Sequence, residues 1–238
     1  MRIGGLEKLS LIDYPAKIAA TIFTAGCNFR CGYCHNGELV DLTEAKNHSN
    51  ISEKTIFDFL NSRQGLLDGV CLTGGEPTSH SDLPSFIKKI KQLGFLVKLD
   101  TNGSNPEMLK KLLEENLLDF MAMDIKASRE KYPETTGSTI NLDNIQKSVS
   151  LIKESGLDYE FRTTIFPPLI DEKEIEKIGQ WLKGAECFVL QQFRPEKTLD
   201  KTFQEIKPYS EDKLKTLAKI IEPFVERVLL RQSENSPL

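Results

Sequence analysis

Apolar residues along this chain fall into short strand-like runs separated by longer stretches with helical spacing. Six runs have the length and the β-branched or aromatic content of buried strands: Ile18–Phe23, Gly69–Leu72, Leu96–Asp100, Phe120–Asp124, Tyr159–Ile165 and Cys187–Gln192. Between and after them, apolar positions recur every third or fourth residue over Ser52–Asn61, Leu83–Gln92, Pro106–Glu115, Asp143–Glu154, Glu172–Lys183 and Glu211–Phe224, which predicts amphipathic helices. Asn105 before Pro106, Asp171 three residues ahead of Glu174, and Asp82 ahead of Leu83 offer N-caps for three of them. Strand and helix alternating in this way is the pattern of βα units around a parallel sheet. Six units are too few for the closed eight-stranded barrel, so the expected fold class is α/β, a partial (β/α)6 open TIM-like barrel or an open sheet.

The chain reads as a single domain over 1–238, with a core at 17–195, an N-terminal lead-in at 1–16, and a C-terminal helix and tail at 196–238. The polar stretch 232–238 is expected to fray. No internal repeat is present.

In parallel α/β architectures ligands collect at the carboxyl ends of the strands, and the conspicuous polar residues fall there repeatedly. A cysteine-rich loop follows the first strand, Thr73-Gly74-Gly75-Glu76-Pro77 the second, Asp100-Thr101-Asn102-Gly103 the third and Asp124-Ile125-Lys126 the fourth. Arg162 and Thr164 share a face of the fifth, and Gln191, Gln192 and Arg194 end the sixth. Together they describe the rim of a pocket.

Cys27, Cys31 and Cys34 place three of the five cysteines within eight residues. Three sulfurs satisfy three irons of a cubane [4Fe–4S] cluster and leave one iron open to a small-molecule ligand. A zinc site completed by His35 is a rival reading, although His35 abuts Cys34 with little room to close one tetrahedron. Cys31-Gly32-Tyr33-Cys34-His35 also spells the haem-attachment pattern, which leaves Cys27 unexplained. Burial as small hydrophobes suits isolated Cys71 and Cys187 better than a cluster of three.

Each remaining element has a plain structural reading beside a functional one. Gly74-Gly75 permits a sharp turn or a close backbone approach to a ligand, with Glu76 an acceptor for a cationic amine. Asp100-Thr101-Asn102-Gly103 suits an Asx-type turn as well as a binding loop. Asp124 and Lys126 form a buried ion pair or hold a ligand's polar groups. His48 and His80 read as exposed or capping residues, Trp181 as core packing, and Met121 and Met123 as strand residues facing away from Asp124.

Composition narrows the setting. The chain has 238 residues, 39% hydrophobic and 28% charged, enough to bury one sizeable core. Its net charge of −4 gives no bulk reason to expect nucleic-acid binding, and Lys88-Lys89-Ile90-Lys91 reads as a solvated helix face. No secretory leader and no apolar run of membrane-spanning length is seen, so no membrane partner is expected. A cytoplasmic location follows, where clustered thiols read as metal ligands rather than disulfides.

With these motifs in view, the chain resembles the radical S-adenosylmethionine superfamily, through Cys27, Cys31 and Cys34 with aromatic Tyr33 ahead of the last cysteine, and through Gly74-Gly75-Glu76-Pro77. The resemblance implies one [4Fe–4S] cluster on the three cysteines, its fourth iron chelated by the amino and carboxylate groups of S-adenosylmethionine. It further implies cofactor contacts from Tyr33, Gly74, Gly75, Glu76, Asp100, Asp124, Lys126 and Arg162, and a monovalent cation held near Asp100 and Asp124. Within the superfamily the chain is most similar to the activating proteins of glycyl-radical enzymes, above all of anaerobic ribonucleoside-triphosphate reductase. Residues 5–15, 26–36 and Met123-Asp124-Ile125-Lys126-Ala127 carry that likeness. The short interval between Cys34 and Gly74, with Cys71 standing alone, leaves no place for an auxiliary cluster.

The implied activity is reductive cleavage of S-adenosylmethionine and abstraction of hydrogen from a backbone glycine of a partner enzyme, driven by a low-potential donor such as flavodoxin or ferredoxin. The radical is carried by the cofactor, so no side chain is required as a general base. Two alternatives belong to other classes: a small-molecule enzyme such as a 7-carboxy-7-deazaguanine synthase, and an electron-transfer iron–sulfur protein, which gives no reason for Gly74-Gly75-Glu76.

Overall fold

The computed structural model describes residues 1–41, 51–167 and 169–231. The readings of His48 and of the tail 232–238 fall outside the described residues. One sheet of eight strands runs in sequence order, β1 (Ile3–Ser10), β2 (Ala19–Thr24), β3 (Gly69–Gly74), β4 (Leu96–Thr101), β5 (Phe120–Asp124), β6 (Asp158–Ile165), β7 (Ala185–Gln192) and β8 (Val225–Arg231). β2 to β8 are parallel and β1 is antiparallel to β2, and the sheet does not close.

The six expected strands are β2 to β7, and the open α/β fold stands as read. The two edge strands are additions. β1 lies in what reads as a lead-in, because Gly4-Gly5 and Glu7-Lys8 lack strand propensity, and pairing with β2 from Ile3↔Thr24 to Ser10↔Ala19 decides it. β8 emerges where the last helix stops early. That helix spans Glu211–Ile221, and a 3-10 turn at Glu222–Phe224 containing Pro223 releases the chain into β8.

The helices are α1 (Glu53–Asn61), α2 (Leu83–Gln92), α3 (Pro106–Glu114), a short α4 (Tyr132–Thr136) not foreseen in the sequence, α5 (Leu142–Lys153), α6 (Glu172–Trp181) and α7 (Glu211–Ile221). Asn105 Oδ1 accepts from Met108 N at 3.2 Å and Asp171 Oδ1 from Glu174 N at 2.9 Å, as N-caps do. Asp82 caps nothing with its side chain; its carboxylate takes the N-terminal ammonium instead.

Strand alternation gives the sheet two unlike faces. On one, Ile22, Leu72, Leu99, Met121 and Tyr159 stand in register across five strands and are buried. Ile56, Phe86, Leu109, Val149 and Ile178 cover this face from the helices as part of the same core. The opposite face carries Thr21, Cys71, Lys98, Asp100, Asp124, Glu160 and Arg162, a polar lining inside the curve of the sheet. The segment after β1 closes the lower end: Thr21 Oγ1 donates to Asp13 Oδ2 at 2.6 Å, and Tyr14 packs on Phe120 with ring centroids 5.9 Å apart.

Candidate active site at the strand ends

The cysteine loop leaves β2 and is fastened on every side by backbone hydrogen bonds. Gly26 N and Cys27 N donate to Leu39 O and Val40 O at 2.7 and 3.2 Å, and Arg30 N donates to Thr136 O at 2.8 Å. The segment after β7 straps the other flank, Leu199 N donating to Cys34 O at 3.1 Å and Asp200 N to Gly32 O at 2.9 Å. His80, half-buried rather than exposed, places Nε2 3.2 Å from Ala25 O at the loop's entrance. Burial disfavours thiolates here, pushing Cys27 up to about 12 and Cys31 up to about 11, with Cys34 also raised; Lys126 pulls all three the other way.

The Gly74-Gly75-Glu76 turn is built against this loop. Gly75 N donates to Thr24 O and Glu76 N to Gly26 O, both at 2.8 Å. A Cβ on Gly75 would lie 2.1 Å from Gly26 O, and one on Gly74, whose φ is 108°, 2.5 Å from Thr24 N. The double glycine is therefore what lets two backbones meet. Glu76, read from the sequence as an acceptor for a cationic amine, is already surrounded by donors of the chain itself. Its carboxylate is fully buried and accepts from Thr78 N at 3.0 Å, Thr78 Oγ1 at 2.5 Å, Thr101 Oγ1 at 2.7 Å and Asn102 N at 2.7 Å. Glu76 ties the end of β3 to the end of β4, and burial raises its carboxyl despite those donors.

Across β4, β5 and β6 runs a ladder of alternating charge. Lys98 pairs with Asp100 Oδ1; Arg162 Nη1 meets Asp100 Oδ2 and Arg162 Nε meets Asp124 Oδ1, each at 2.9 Å; Lys126 Nζ closes on Asp124 Oδ2 at 3.0 Å. Glu160 flanks Arg162 at 3.8 Å and Arg231 of β8 at 3.4 Å. Burial opposes the charged form of Asp124, yet Arg162 and Lys126 hold it well below the usual carboxylate range. Asp100 is lowered too, Arg162 and Lys98 outweighing its burial, while Asp124 keeps Lys126 charged against the same penalty.

The sheet thus gathers Cys27, Cys31, Cys34, Gly74, Gly75, Glu76, Asp100, Asp124, Lys126 and Arg162 at one end of β2 to β6. Tyr33 turns inward, its ring stacked on Phe166 at 5.2 Å and its buried hydroxyl without a hydrogen-bond partner among the described residues. The Arg162 guanidinium bridges Asp100 and Asp124, the two carboxylates near which the resemblance implies a monovalent cation. Sequence reasoning missed Lys98, Glu160 and Arg231, and the 199–203 strap. The first two lie inside strand runs, but Lys98/Asp100, Asp124/Lys126 and Glu160/Arg162 are all opposite charges two residues apart, a same-face signal on three neighbouring strands.

Among the described residues no helix is long and apolar enough to cross a membrane, and no three His, Cys, Asp or Glu side chains are gathered to hold a single metal ion. A cubane cluster asks for something else, one thiolate on each of several irons.

An open parallel sheet with a cysteine loop and a glycine turn at its strand ends defines a class of cofactor-dependent enzymes, and comparison with known proteins gives that class its name. Residues 21–182 match the Radical SAM superfamily. A protein of Methanocaldococcus jannaschii, provisionally named as a glycyl-radical enzyme activating enzyme, is 36% identical over 96% of this chain and 95% of its own. The pyruvate formate-lyase-activating enzyme of Clostridium pasteurianum is 27% identical over 94% of this chain and 98% of its own. Streptococcus suis SuiB bound to S-adenosylmethionine shares the fold, with a TM-score of 0.66 at 14% identity over 87% of this chain, which spans 48% of SuiB. The chain belongs to the radical S-adenosylmethionine superfamily, in the family of glycyl-radical enzyme activating enzymes.

The cofactors of the superfamily are a [4Fe–4S] cluster and S-adenosylmethionine. The residues present fit them. Three thiols in a dry loop gain their ionised form from a bound cationic centre, and the orphaned Tyr33 hydroxyl beside Cys31 and Lys126 marks polar capacity left for a ligand.

Proposed function

We propose that this protein activates a glycyl-radical enzyme, and that its partner is the large subunit of an anaerobic ribonucleotide reductase. The observation that carries the first part is likeness along nearly the whole chain to the M. jannaschii activating enzyme. The second part rests on the residues 5–15, 26–36 and 123–127 that resemble reductase activases. In this reading Cys27, Cys31 and Cys34 each ligate one iron, and the amino acid end of S-adenosylmethionine takes the fourth. When bound, the pair supplies one-electron cleavage of a C–S bond and hydrogen abstraction.

The chain's own residues orient and enclose. Backbone groups of Gly74 and Gly75 are left to receive the amine, since the Glu76 carboxylate is spent on Thr78, Thr101 and Asn102. Lys126 and Arg162 present positive charge to the carboxylate and hydroxyls of the ligand, Asp124 and Asp100 fix those cations, and Tyr33 lines the wall. The unclosed sheet leaves a side through which a loop of another protein enters. The electron comes from a low-potential flavodoxin or ferredoxin in the cytoplasm.

The test is anaerobic. The protein is reconstituted with iron and sulfide, reduced, given S-adenosylmethionine, and assayed for 5′-deoxyadenosine with and without the reductase large subunit, with electron paramagnetic resonance for a glycyl radical. A partner-dependent glycyl radical supports the reading. Cleavage with no radical on any glycyl-radical partner overturns it in favour of a small-molecule substrate.

A further inference from the structure

Lys98 is a fully buried charge, and the activity just proposed makes no use of it. Its side chain is 1% exposed, against 16% for Lys126 and 28% for Asp124 at the other end of the ladder. The ammonium lies on Asp100 Oδ1, 3.8 Å from Cys71 Sγ and 5.8 Å from the centre of the Phe120 ring. Of these neighbours only Asp100 belongs to the residues that the resemblance brings to S-adenosylmethionine.

The connectivity gives Lys98 a function. Asp100 has two oxygens, one held by Lys98 and the other by Arg162; Arg162 in turn uses Nη1 on Asp100 and Nε on Asp124; Asp124 presents its remaining oxygen to Lys126. Every member is fixed from two sides except the terminal ones. Without a cation behind it, Asp100 Oδ1 would keep only the weak thiol donor Cys71 Sγ at 3.7 Å, and a buried carboxylate oxygen left without its counter-charge rotates or draws in an ion. Arg162 and Asp124 would then lose the register that aims Lys126.

We infer that Lys98 is a built-in counter-ion, a positioning residue that fixes Asp100 and through it the S-adenosylmethionine-facing end of the ladder, and that it makes the site independent of any free monovalent cation. The inference rests on Asp124, Lys126 and Arg162 serving S-adenosylmethionine, and not on the identity of the protein partner.

The experiment compares wild type, Lys98→Met and Lys98→Arg, each assayed in potassium chloride and in choline chloride at equal ionic strength. Readouts are S-adenosylmethionine affinity by equilibrium dialysis, KM and kcat for partner-free 5′-deoxyadenosine release, and the melting temperature of the metal-free protein. Wild type is expected to give the same values in both salts. Lys98→Met, similar in length but uncharged, is expected to bind S-adenosylmethionine roughly tenfold or more weakly in choline, chiefly through KM, and to recover in potassium as the small cation enters the vacated place. Lys98→Arg is expected to retain most of the affinity.

A wild type that needs potassium overturns the inference and restores a separate cation site. A Lys98→Met variant equally impaired in both salts overturns it as well, reducing Lys98 to packing. If Lys98→Met does not fold, the wild-type salt comparison and Lys98→Arg still decide. Because cleavage is measured without a partner, failure to radicalise a reductase would leave this result standing.

Discussion

Gly75→Ala adds a single methyl where the structure allows none, and the response measures how closely the glycine turn and the cysteine loop are joined. The new Cβ would sit 2.1 Å from Gly26 O, 2.7 Å from Gly26 C and 3.1 Å from Gly26 N, all backbone atoms. Ordinary C···O contact begins near about 3.3 Å, so about 1.2 Å of separation must come from moving the end of β3 away from the loop. The bonds Gly75 N to Thr24 O and Glu76 N to Gly26 O lie directly in that path. The penalty belongs at the upper end of overpacking, about 3 kcal/mol. For a chain of this size that lowers the melting temperature by about 6–12 °C.

Gly94→Ala is the control. Its φ of 88° strains an alanine, but nothing lies within 4 Å of the added carbon, so the cost is the conformational one of about 1–2 kcal/mol. Calorimetric melting of the metal-free proteins and iron content after reconstitution are the assays. Gly75→Ala should melt lowest and retain the least iron, while Gly94→Ala should load iron like the wild type. A Gly75→Ala protein that melts within about 2 °C of wild type and loads iron fully would refute the account of why two glycines stand together here.

Other outcomes follow from the same geometry. Glu76→Gln sets an amide NH2 against groups that donate hydrogen bonds to the carboxylate, so it should destabilise by about 1–3 kcal/mol in urea unfolding; an unchanged midpoint would mean those four donors find other partners. Asp124 titrates near about 3.9 when unfolded and lower when folded, so its stabilisation is complete above that value and is lost as pH falls toward the folded one. The gap in melting temperature between wild type and Asp124→Asn should therefore hold from neutral pH to about 5 and shrink below about 4, and a gap constant to about pH 2 would contradict the pairing with Arg162 and Lys126. Cys31→Ala should lose cluster iron and cleavage together, and any 5′-deoxyadenosine from it would remove Cys31 from the ligand set.

What the sequence disclosed depended on burial. β2 to β7 lie inside the sheet with helices outside, so strands such as Val70-Cys71-Leu72 read as continuous apolar runs. β1 and β8 are edges, half exposed, and their mixed composition carries no clean period; pairing alone makes Ile3-Gly4-Gly5-Leu6 a strand. Motif residues at the strand ends were legible by type and place, though not by partner. Nothing in Glu76 as a letter says that four donors, two from Thr78 and two from the end of β4, consume it, and nothing in Arg162 says that it stands between two aspartates. Partners depend on register across strands remote in sequence, and one residue of slip would send Lys98 and Glu160 into the apolar core.

The site is held together by two different kinds of force, and the end of β4 is where they join. On the side of β2 and β3, hydrogen bonds from backbone amides and hydroxyls bind the cysteine loop, the glycine turn and Glu76 into one body. On the side of β5 and β6, charge pairing does the same for Asp124, Lys126 and Arg162. Consecutive residues of one strand end belong to both: Asp100 enters the ladder through Arg162 and Lys98, while Thr101 Oγ1 and Asn102 N grip Glu76 at 2.7 Å each. Asn102 goes further, its Nδ2 donating to Asn28 Oδ1 at 2.9 Å in the cysteine loop while its Oδ1 accepts from Ser104 N at 2.9 Å. The Asn102 Oδ1 to Ser104 N bond is the Asx-type turn that the bare sequence offered for Asp100-Thr101-Asn102-Gly103. Buried ion pairs contribute little net stability relative to apolar packing, so a ladder placed beside the cysteines is there for direction. It fixes where positive charge points relative to three sulfurs, and that relation is transmitted through a single strand end.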